Sequence, residues 1–485
     1  MPSQPRAVVV GAGIAGLAAA TGLAERGVSV DVIERENYLG GRVGAWTEQS
    51  DGVELAMNRG FHAFFRQYYN LRALLSRVDA TLSMLTPVDD YPLVDGAGRR
   101  DTFRGLPRNP PWNALAFALR SPTFRLIDLA RIDARAAAPL AAVSLPDIYH
   151  RIDHIDAETF LKSINFPEAA RHLAFEVFSR SFFASPTDLS AAELATMFHI
   201  YFLGSSEGLI FDVANSNYDT ALWRPLQQYL TDLGVRFHHG SAVTSIGHTQ
   251  TFHIHTDAND QLEADAVVLA TDVAGLQRIV AASAGLGDDI WRARINKLRT
   301  APPFVVQRLW LDRPLAADRA AFLGTSGHEP LDNISVLDRY ERQAADWARC
   351  NGGSVIELHS YALESARPRD GMLSQLHKLY PETRGARVVY EQMLHHRDCP
   401  LFAPGTHAHR PGVVTPLPGL LLAGDGVRID LPVALMERAA TTGWTAANHL
   451  LNRWGIAGHA LCTVPTQGRS ALLRYLGGRE RLSRR

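Results

Sequence analysis

The sequence predicts an α/β protein whose N-terminal domain is built on a parallel sheet, and a succession of short segments carries this prediction. Residues 7–10 form an unbroken apolar run, as a strand buried in a parallel sheet does. Residues 11–16 are a glycine-rich turn, and residues 17–26 follow as a helix that stops at a glycine. Residues 28–33 read as a second strand. Strand, turn, helix and strand in this order predict a Rossmann-type unit.

The turn has the G-x-G-x-x-G spacing that places a dinucleotide pyrophosphate at a helix N-terminus. Gly11 allows the tight bend, Gly13 lets backbone amides approach the phosphates, and Gly16 lets the helix pack on the strand. Glu34 ends the second strand, 18 residues after Gly16, near the position of an acid that binds a ribose hydroxyl. We expect the pyrophosphate to contact the turn residues Gly11, Gly13, Ile14, Ala15 and Gly16.

Composition and charge exclude several classes of protein. Subtracting 50 acidic from 49 basic residues leaves a net charge of −1 over 485 residues, which argues against a nucleic-acid binder and against a disordered chain. The three cysteines lie far apart, so we expect neither a disulfide framework nor a thiolate metal site. The sequence has no uninterrupted run of about 18 apolar residues, so no transmembrane helix is expected. These features favour a cytoplasmic protein of about three domain-sized units, or of two units with one of them large.

The residues after the second strand distinguish a flavin from a nicotinamide cofactor. Residues 34–43 read E-R-E-N-Y-L-G-G-R-V, and this order resembles the FAD-binding N-terminus of the amine oxidase and phytoene desaturase superfamily. The resemblance implies that Glu34 binds the adenosine ribose and that Arg42 lies along the diphosphate. Arg35 and Gly41 belong to the same implied set of FAD contacts.

A second signature of this superfamily lies near the other end of the chain. Residues 419–426 read as a buried strand that runs into Ala-Gly-Asp, and the resemblance places Gly424 and Asp425 against the ribityl and phosphate part of FAD. The next helix would direct its N-terminus, with Met436, at the isoalloxazine. Between the two signatures, the backbone of Val243 is the implied contact for the adenine.

These signatures divide the chain into discontinuous domains. We expect an FAD-binding domain formed by residues 1–95, 232–285 and 405–455, an α+β substrate domain formed by the inserts 96–231 and 286–404, and a basic tail at 456–485. The inserts contain aromatic residues such as Tyr201, Phe211 and Phe304. Because rigid aromatic walls suit an apolar tunnel, the inserts favour an extended hydrocarbon ligand over an amine.

Residues 58–69, N-R-G-F-H-A-F-F-R-Q-Y-Y, form the most distinctive string in the chain. Together with residues 89–92, 102–107 and 428–438, it resembles the carotenoid ring desaturase/methyltransferases of the isorenieratene synthase type. The resemblance implies oxidation of a carotenoid β-ring with migration of one methyl group, since the ring carbon that bears two methyls cannot become aromatic. FAD would take the electrons, and a base must accept the protons.

Three side chains are candidates for this base. Asp430 and Glu437 lie around the start of the helix expected at the flavin, and His62 lies in the distinctive string. Each also has a structural interpretation. Asp430 could cap the helix, and His62 could be a hydrogen-bonded core histidine. Glu437 could pair with Arg438 or Arg428.

Other functions stay open on the sequence alone. An acyclic carotenoid desaturase or isomerase of the phytoene type would share the FAD signatures. So would another FAD-dependent oxidase that acts on an amine or a porphyrinogen, or a flavin-binding membrane protein without activity. An amine oxidase of this superfamily usually has a lysine near the flavin, and Lys297 is the only plausible candidate.

Peripheral contact with the cytoplasmic membrane is expected, because a carotenoid is dissolved in lipid. Residues 112–141 mix apolar residues with arginines and could lie in the membrane interface, although a core helix pair fits the pattern as well. The basic tail could touch anionic lipid or be a solvated terminus.

The histidines within residues 395–409 match no zinc-binding pattern, so no metal is expected.

Overall fold

The structure is a computed structural model. It describes residues 4–50, 52–125, 127, 130–133, 135–170, 180–209, 211–363 and 369–468. The predicted α/β fold is confirmed, and a five-stranded parallel sheet lies at its centre. Across this sheet the strands follow the order Arg236–His238, Ser29–Ile33, Arg6–Val10, Ala266–Leu269 and Leu420–Leu422.

Two helices pack against each other beside this sheet. Helix Ile14–Ala24 begins directly after the first strand and is buried along its whole length against helix Leu435–Arg453. The contact is close because glycine stands where the backbones meet: a Cβ at Gly443 would lie 2.2 Å from the carbonyl oxygen of Ala15. Gly16 has the same role toward the strand, since a Cβ there would lie 1.8 Å from the carbonyl oxygen of Gly11.

A second, seven-stranded sheet carries most of the other half of the molecule. Its strands follow the order Val388–His396, Phe304–Leu311, Ser354–Ser360, Asn333–Val336, Phe322–Thr325, Leu93–Val94 and Arg100–Asp101. The long strands Phe304–Leu311 and Ser354–Ser360 are buried at every position. A sheet buried on both faces can hold polar side chains only where they are paired, which becomes important at the functional site.

Smaller elements complete the described fold. The remaining strands are Ala45–Ser50, Val53–Asn58, Phe64–Phe65, Leu85–Pro87, Phe211–Ala214, Val243–His248, Phe252–Thr256 and Gln261–Ala264. The other α-helices are Tyr69–Leu75, Trp112–Arg120, Ala138–Ala141, Asp147–Ile152, Ala157–Ser163, Ala191–Phe198, Arg224–Asp232, Val273–Ala282, Asp289–Asn296, Arg342–Asn351 and Arg369–Leu379.

Strand pairing and hydrogen bonds connect two segments to parts of the molecule other than those the sequence predicts. Strand Leu93–Val94, placed by the sequence in the FAD-binding domain, pairs with Phe322–Thr325 in the seven-stranded sheet. The predicted tail begins too early, because residues 456–468 pack on the body of the protein: His459 contacts the carbonyl of Gly22, and Cys462 exchanges hydrogen bonds with Asn70. The arginines from residue 469 onward lie outside the described residues.

Candidate functional site

One continuous cavity of about 680 Å³ runs from the carboxyl ends of the parallel strands to the seven-stranded sheet. Its first part is lined by backbone-rich segments at 10–15, 33–43, 241–244 and 424–425. Its second part is lined by side chains of the inserts and of the string at 59–68. A cofactor on the parallel sheet and a substrate on the other sheet would therefore share one continuous space.

The glycine turn forms a cradle in which only glycine fits at positions 11 and 16. Gly11 has φ +101°, and a Cβ there would lie 2.6 Å from the carbonyl oxygen of Ala270. Gly13, in contrast, has an ordinary φ of −74°, and a Cβ there would meet nothing closer than Gly41, at 3.9 Å. Since Gly13 lines the cavity, the space beside it is space that a ligand can occupy.

Glu34 is fixed at the end of its strand by two backbone amides. Its Oε2 accepts from the N–H of Ala12 at 2.7 Å, and its Oε1 accepts from the N–H of Glu36 at 2.9 Å. Burial raises the pKa of this carboxyl, and the two amides oppose that rise. Arg35 beside it is held by Asp272 at 2.8 Å. A carboxyl held this way can accept further hydrogen bonds from a ribose hydroxyl.

The Gly40-Gly41 loop brings Arg42 to the opposite signature. Arg42 forms an ion pair with Asp425, which follows the last strand of the parallel sheet. Trp223 supports the loop from below: its Nε1 donates to the carbonyl of Val43 at 2.6 Å, and a Cβ at Gly40 would collide with its ring. The two predicted signatures, 383 residues apart in the chain, are thus in direct contact.

The N-terminus of helix Leu435–Arg453 opens on the cavity. Leu435 and Met436 line it, and the N-cap residue, Ala434, offers no side-chain cap for the free amides of the first turn. The positive end of the helix dipole therefore faces the cavity, where it would suit a flavin as it gains electrons. The glycine cradle, the fixed carboxyl and this helix end together fit a flavin dinucleotide.

The structure brings the residues predicted to bind the cofactor to one place. All of them line the cavity except Gly16, which packs helix on strand. The set that lines it is Gly11, Gly13, Ile14, Ala15, Glu34, Arg35, Gly41, Arg42, Val243, Gly424, Asp425 and Met436.

Asp430 does not occupy the position that either of its predicted roles, cap of the helix or base beside the reacting ring, requires. Asp430 is exposed and is absent from the cavity wall. It does not cap the helix either, because the N-cap is Ala434 and the turn formed by Val433 N–H and the carbonyl of Leu431 intervenes. The proline at 432 lies within this turn and keeps Asp430 one turn away from the helix start.

Glu437 is buried, but it faces away from the cavity. Its Oε1 accepts from the backbone and side-chain N–H groups of Asn70, at 2.9 and 2.8 Å, and its Oε2 accepts from the N–H of Leu71 at 2.9 Å. These backbone amides belong to the first turn of helix Tyr69–Leu75, so Glu437 caps a neighbouring helix. Burial raises its pKa to about 8. The alternative that Glu437 pairs with Arg438 or Arg428 is wrong, because Arg428 donates to the carbonyl of Ala408 and Arg438 binds another carboxylate.

Arg438 has a different partner. Its guanidinium donates to the buried Glu193 at 2.7 Å, and Arg410 binds the same carboxylate at 2.9 Å. Both guanidinium groups lie over the ring of Phe402. Although burial opposes ionisation, the two arginines lower the pKa of Glu193 to about 2. A cluster built in this way fixes the helix start behind the cofactor cradle.

His62 lies in the wall of the cavity, as a catalytic candidate must. Burial lowers its pKa to about 4, so the ring is neutral near pH 7. Its Nδ1 lies 2.9 Å from the carbonyl oxygen of Gly60, which can only accept, and therefore Nδ1 carries the proton. In this tautomer Nε2 has the free lone pair, and the neutral imidazole can accept a proton there.

Aromatic rings make up much of the wall on the substrate side. The ring centroids of Phe61 and Phe322 lie 4.4 Å apart, and those of Tyr91 and Phe322 lie 4.5 Å apart. Further rings extend the wall at Phe65, Phe103, Phe183, Tyr201, Phe211 and Phe304. Among the described residues, no lysine lines the cavity, and Lys297 is exposed outside it.

The sequence analysis missed a group of polar residues on the seven-stranded sheet. Glu357, His359 and Tyr361 alternate along and just beyond strand Ser354–Ser360, so their side chains share one face. His359 and Tyr361 line the cavity. The pattern E-x-H-x-Y within an otherwise apolar strand was the available signal. It indicates a polar track along one face of a buried strand.

The structure describes only part of the segment 112–141, for which contact with a membrane interface is predicted. Helix Trp112–Arg120 is present, and the side chains of Trp112, Leu115 and Leu119 are 61%, 45% and 57% exposed. No helix among the described residues is both long enough and apolar enough to cross a bilayer. The histidines at 395 and 396 lie on strand Val388–His396, while His407 stacks on Tyr149 at 3.6 Å.

Comparison with known proteins agrees with this geometry. A profile of the family described as flavin-containing amine oxidoreductase matches residues 14–451. The chain belongs to this family. It is 56% identical to the carotenoid phi-ring synthase of Streptomyces griseus, over 97% of this chain and 92% of that protein. It is 27% identical to the carotenoid phi-ring synthase of Chlorobaculum tepidum, over 96% of this chain and 92% of that protein.

Solved structures of the family share the fold at low sequence identity. Wild-type putrescine oxidase bound to putrescine superposes with a TM-score of 0.67 at 17% identity, covering 93% of this chain and 100% of that one. Cyclohexylamine oxidase from Brevibacterium oxydans superposes with a TM-score of 0.64 at 16% identity, again over 93% and 100%. These likenesses establish that the chain shares the α/β fold of these two oxidases.

Proposed function

We propose that this chain is an FAD-dependent carotenoid oxidoreductase that converts a β-ring into an aromatic end ring, with migration of one methyl group inside the ring. The observation that carries the proposal is the continuity of the dinucleotide cradle with an aromatic-walled cavity that has no lysine among its described residues. The 56% identity to a carotenoid phi-ring synthase supports the choice of substrate.

The cradle assigns a binding role to each cofactor residue. The turn at Gly11 and Gly13 would receive the pyrophosphate, Glu34 the ribose, and the pair of Arg42 and Asp425 the diphosphate and ribityl region. Bound FAD supplies the acceptor for a hydride from a ring carbon. The substrate wall would hold the ring against it and exclude water.

Loss of hydride leaves a positive charge on the carotenoid ring, and the wall is suited to this charge. The rings of Phe61, Phe322 and Tyr91 lie in the cavity wall and offer π-electron density that can stabilise a cation. The methyl group can therefore shift before the proton leaves. We assign Nε2 of His62 as a proton acceptor, because even a weak base suffices for a proton next to a cationic centre.

Expression in a host that accumulates β-carotene tests the reaction. We expect a carotenoid with an aromatic end ring, four hydrogens lighter per converted ring and with an unchanged number of carbons. Isotope-labelled methionine should leave no label on the ring, since the methyl moves within the molecule. Untouched β-carotene, together with loss of hydrogens from a linear polyene such as phytoene, would identify an acyclic carotenoid desaturase instead.

The cofactor has its own test in Gly13. Gly13→Leu should fold normally, because φ is ordinary and the nearest atom to the new Cβ is 3.9 Å away, yet its side chain should displace FAD. Gly247→Leu is the matched control: it also has open space, with its nearest atom at 3.9 Å, and it lies outside the cavity. Flavin absorbance per protein should vanish in the first variant only; undiminished flavin there would refute the assigned site.

We also propose that helix Trp112–Arg120 docks on a lipid surface from which the carotenoid enters. Trp112, Leu115 and Leu119 expose one apolar face, while Phe117 on the inner face stacks on Phe103 at 4.8 Å. Phe103 lines the cavity, so this helix lies directly over one end of it. Exposed arginines at 104, 108, 120 and 125 would meet anionic headgroups.

Vesicle binding tests this surface. The triple variant Trp112→Glu, Leu115→Glu, Leu119→Glu should lose most co-sedimentation with phosphatidylglycerol vesicles, since each change removes apolar area and adds negative charge. Ile290→Glu, which alters an equally exposed apolar residue (69% exposed) on another helix, should bind as the wild type does. Equal binding by the triple variant would move the lipid contact elsewhere.

A further inference from the structure

Aromatisation removes two protons as well as two hydrides, and His62 provides a single imidazole. The proposed function therefore raises the question of where the other proton goes. The polar track on strand Ser354–Ser360 contains the groups that a second acceptor needs, and the reaction as described so far does not use them.

The hydrogen bonds of this track fix the direction in which protons can move. Oε1 of Glu357 lies 2.7 Å from Nε2 of His359, and Nδ1 of His359 lies 2.7 Å from the hydroxyl of Tyr361. A carboxylate only accepts, so Nε2 carries the ring proton. In the neutral ring Nδ1 is then an acceptor, and the Tyr361 hydroxyl donates to it.

Arg308 keeps Glu357 ionised. Its Nε and Nη2 donate to Oε2 of Glu357 at 3.0 and 2.8 Å, on the neighbouring strand Phe304–Leu311 where the two residues are direct cross-strand partners. Burial alone would raise the pKa of Glu357, but the Arg308 charge and the His359 hydrogen bond lower it to about 2. A permanent carboxylate behind the imidazole stabilises the imidazolium that forms on proton uptake.

Asn333 completes the track on the cavity side. Its Nδ2 donates to the Tyr361 hydroxyl at 2.9 Å, which leaves one lone pair of that oxygen for the cavity. Its Oδ1 is buried and has no hydrogen-bond partner among the described residues. Since Asn333 lines the cavity, this amide oxygen offers the negative end of a dipole to a cationic ring.

We infer that Tyr361, His359 and Glu357 form a proton relay that accepts one of the two ring protons, in addition to His62. The inference rests on the proposed function. A ring C–H bond breaks, and its electron pair stays in the ring as a new double bond. The proton goes to the oxygen of Tyr361, whose own hydroxyl proton passes to Nδ1 of His359. The resulting imidazolium is paired with the carboxylate of Glu357, so no oxidant is consumed in this step.

Single-turnover kinetics of FAD-loaded protein in carotenoid-containing vesicles test the relay. Tyr361→Phe and Glu357→Gln should each slow arene formation about 100-fold or more, while flavin content stays at the wild-type level. The double variant should be no slower than the worse single variant, because residues that act as one unit are not additive. Tyr390→Phe, a tyrosine of the same sheet outside the cavity, should behave as the wild type does.

A solvent isotope effect separates a relay from a structural role. Arene formation by the wild type should be slower in deuterated water, since the exchangeable hydroxyl proton of Tyr361 moves to His359 as the ring proton leaves, and Tyr361→Phe should lose this effect. Wild-type rates in Tyr361→Phe, or additive losses with an unchanged isotope effect, would overturn the relay alone. A wild-type enzyme that leaves every β-ring untouched would overturn the proposed function and the relay with it.

Discussion

Glu437 and Glu357 are both fully buried carboxyl groups close to the same cavity, yet their surroundings give them opposite properties. Glu437 meets only neutral N–H donors, and burial raises its pKa to about 8. Glu357 faces a guanidinium, and despite burial its pKa falls to about 2. The comparison shows that the partner of a buried acid, more than its depth, decides whether it holds a proton.

The largest expected effect comes from removing the charge that keeps Glu357 ionised. Arg308→Met leaves that carboxylate buried without its partner and should lower the free energy of unfolding by about 3–5 kcal/mol. Urea denaturation measures this loss. Arg349→Met, which removes an exposed guanidinium 2.8 Å from Asp346, should change it by less than about 0.5 kcal/mol. Equal losses would mean that the buried pair has no special weight.

Glu437→Gln should produce a smaller loss of stability, about 1–3 kcal/mol, because the amide nitrogen of glutamine cannot accept from Leu71. Arene formation per bound flavin should stay at the wild-type level, since Glu437 faces a helix and not the cavity. Product analysis and denaturation on the same preparation measure both quantities. A variant that keeps FAD and stability but stops aromatisation would restore Glu437 as the base.

The pH dependence of stability should have opposite signs at the two acids. Glu357 has a lowered pKa in the folded protein, so its contribution is present above its ordinary value of 4.5 and is lost as the pH falls toward about 2. Glu437 has a raised pKa, so its contribution is present below 4.5 and is lost as the pH rises toward about 8. Urea midpoints of each Gln variant, compared with wild type across this range, measure the two slopes. If both contributions changed with pH in the same direction, the opposite pKa shifts of Glu357 and Glu437 would be contradicted.

The smallest effect is expected at Asp430. Its side chain is exposed and contributes neither to the cavity wall nor to the start of the helix. Asp430→Asn should therefore change the free energy of unfolding by less than about 0.5 kcal/mol and leave arene formation unaltered. Loss of product in this variant, with FAD retained, would show that the segment moves toward the substrate during the reaction.

The cofactor half of the site could be predicted because its information is local in the chain. Gly11, Gly13 and Glu34 follow one another within a single strand-turn-helix-strand unit, where spacing along the sequence fixes spacing in the fold. Asp425 was found in the same way, from the strand that precedes it. Each of these residues acts through backbone geometry that neighbouring residues already specify.

The substrate half could not be predicted in the same way. Arg308, Asn333 and Glu357 come from three strands whose register brings them together, and no short motif encodes that register. The sequence predicts Glu437 and Asp430 beside the flavin, but neither side chain lines the cavity, because their roles depend on which way each side chain turns. For Glu437 that direction is set by the amides of Asn70 and Leu71, which lie far away in the chain.

The parallel sheet also has a consequence for synthesis. Strand Arg6–Val10 lies at its centre, yet one neighbouring strand follows about half a chain later: the amide of Arg6 bonds to Asp265, 259 residues away. The edge strand Leu420–Leu422 is later still. A ribosome must therefore release more than half of the polypeptide before this apolar strand has both neighbours, and still more before the sheet is complete. Chaperone supply and translation rate should therefore govern how much active protein a foreign host produces.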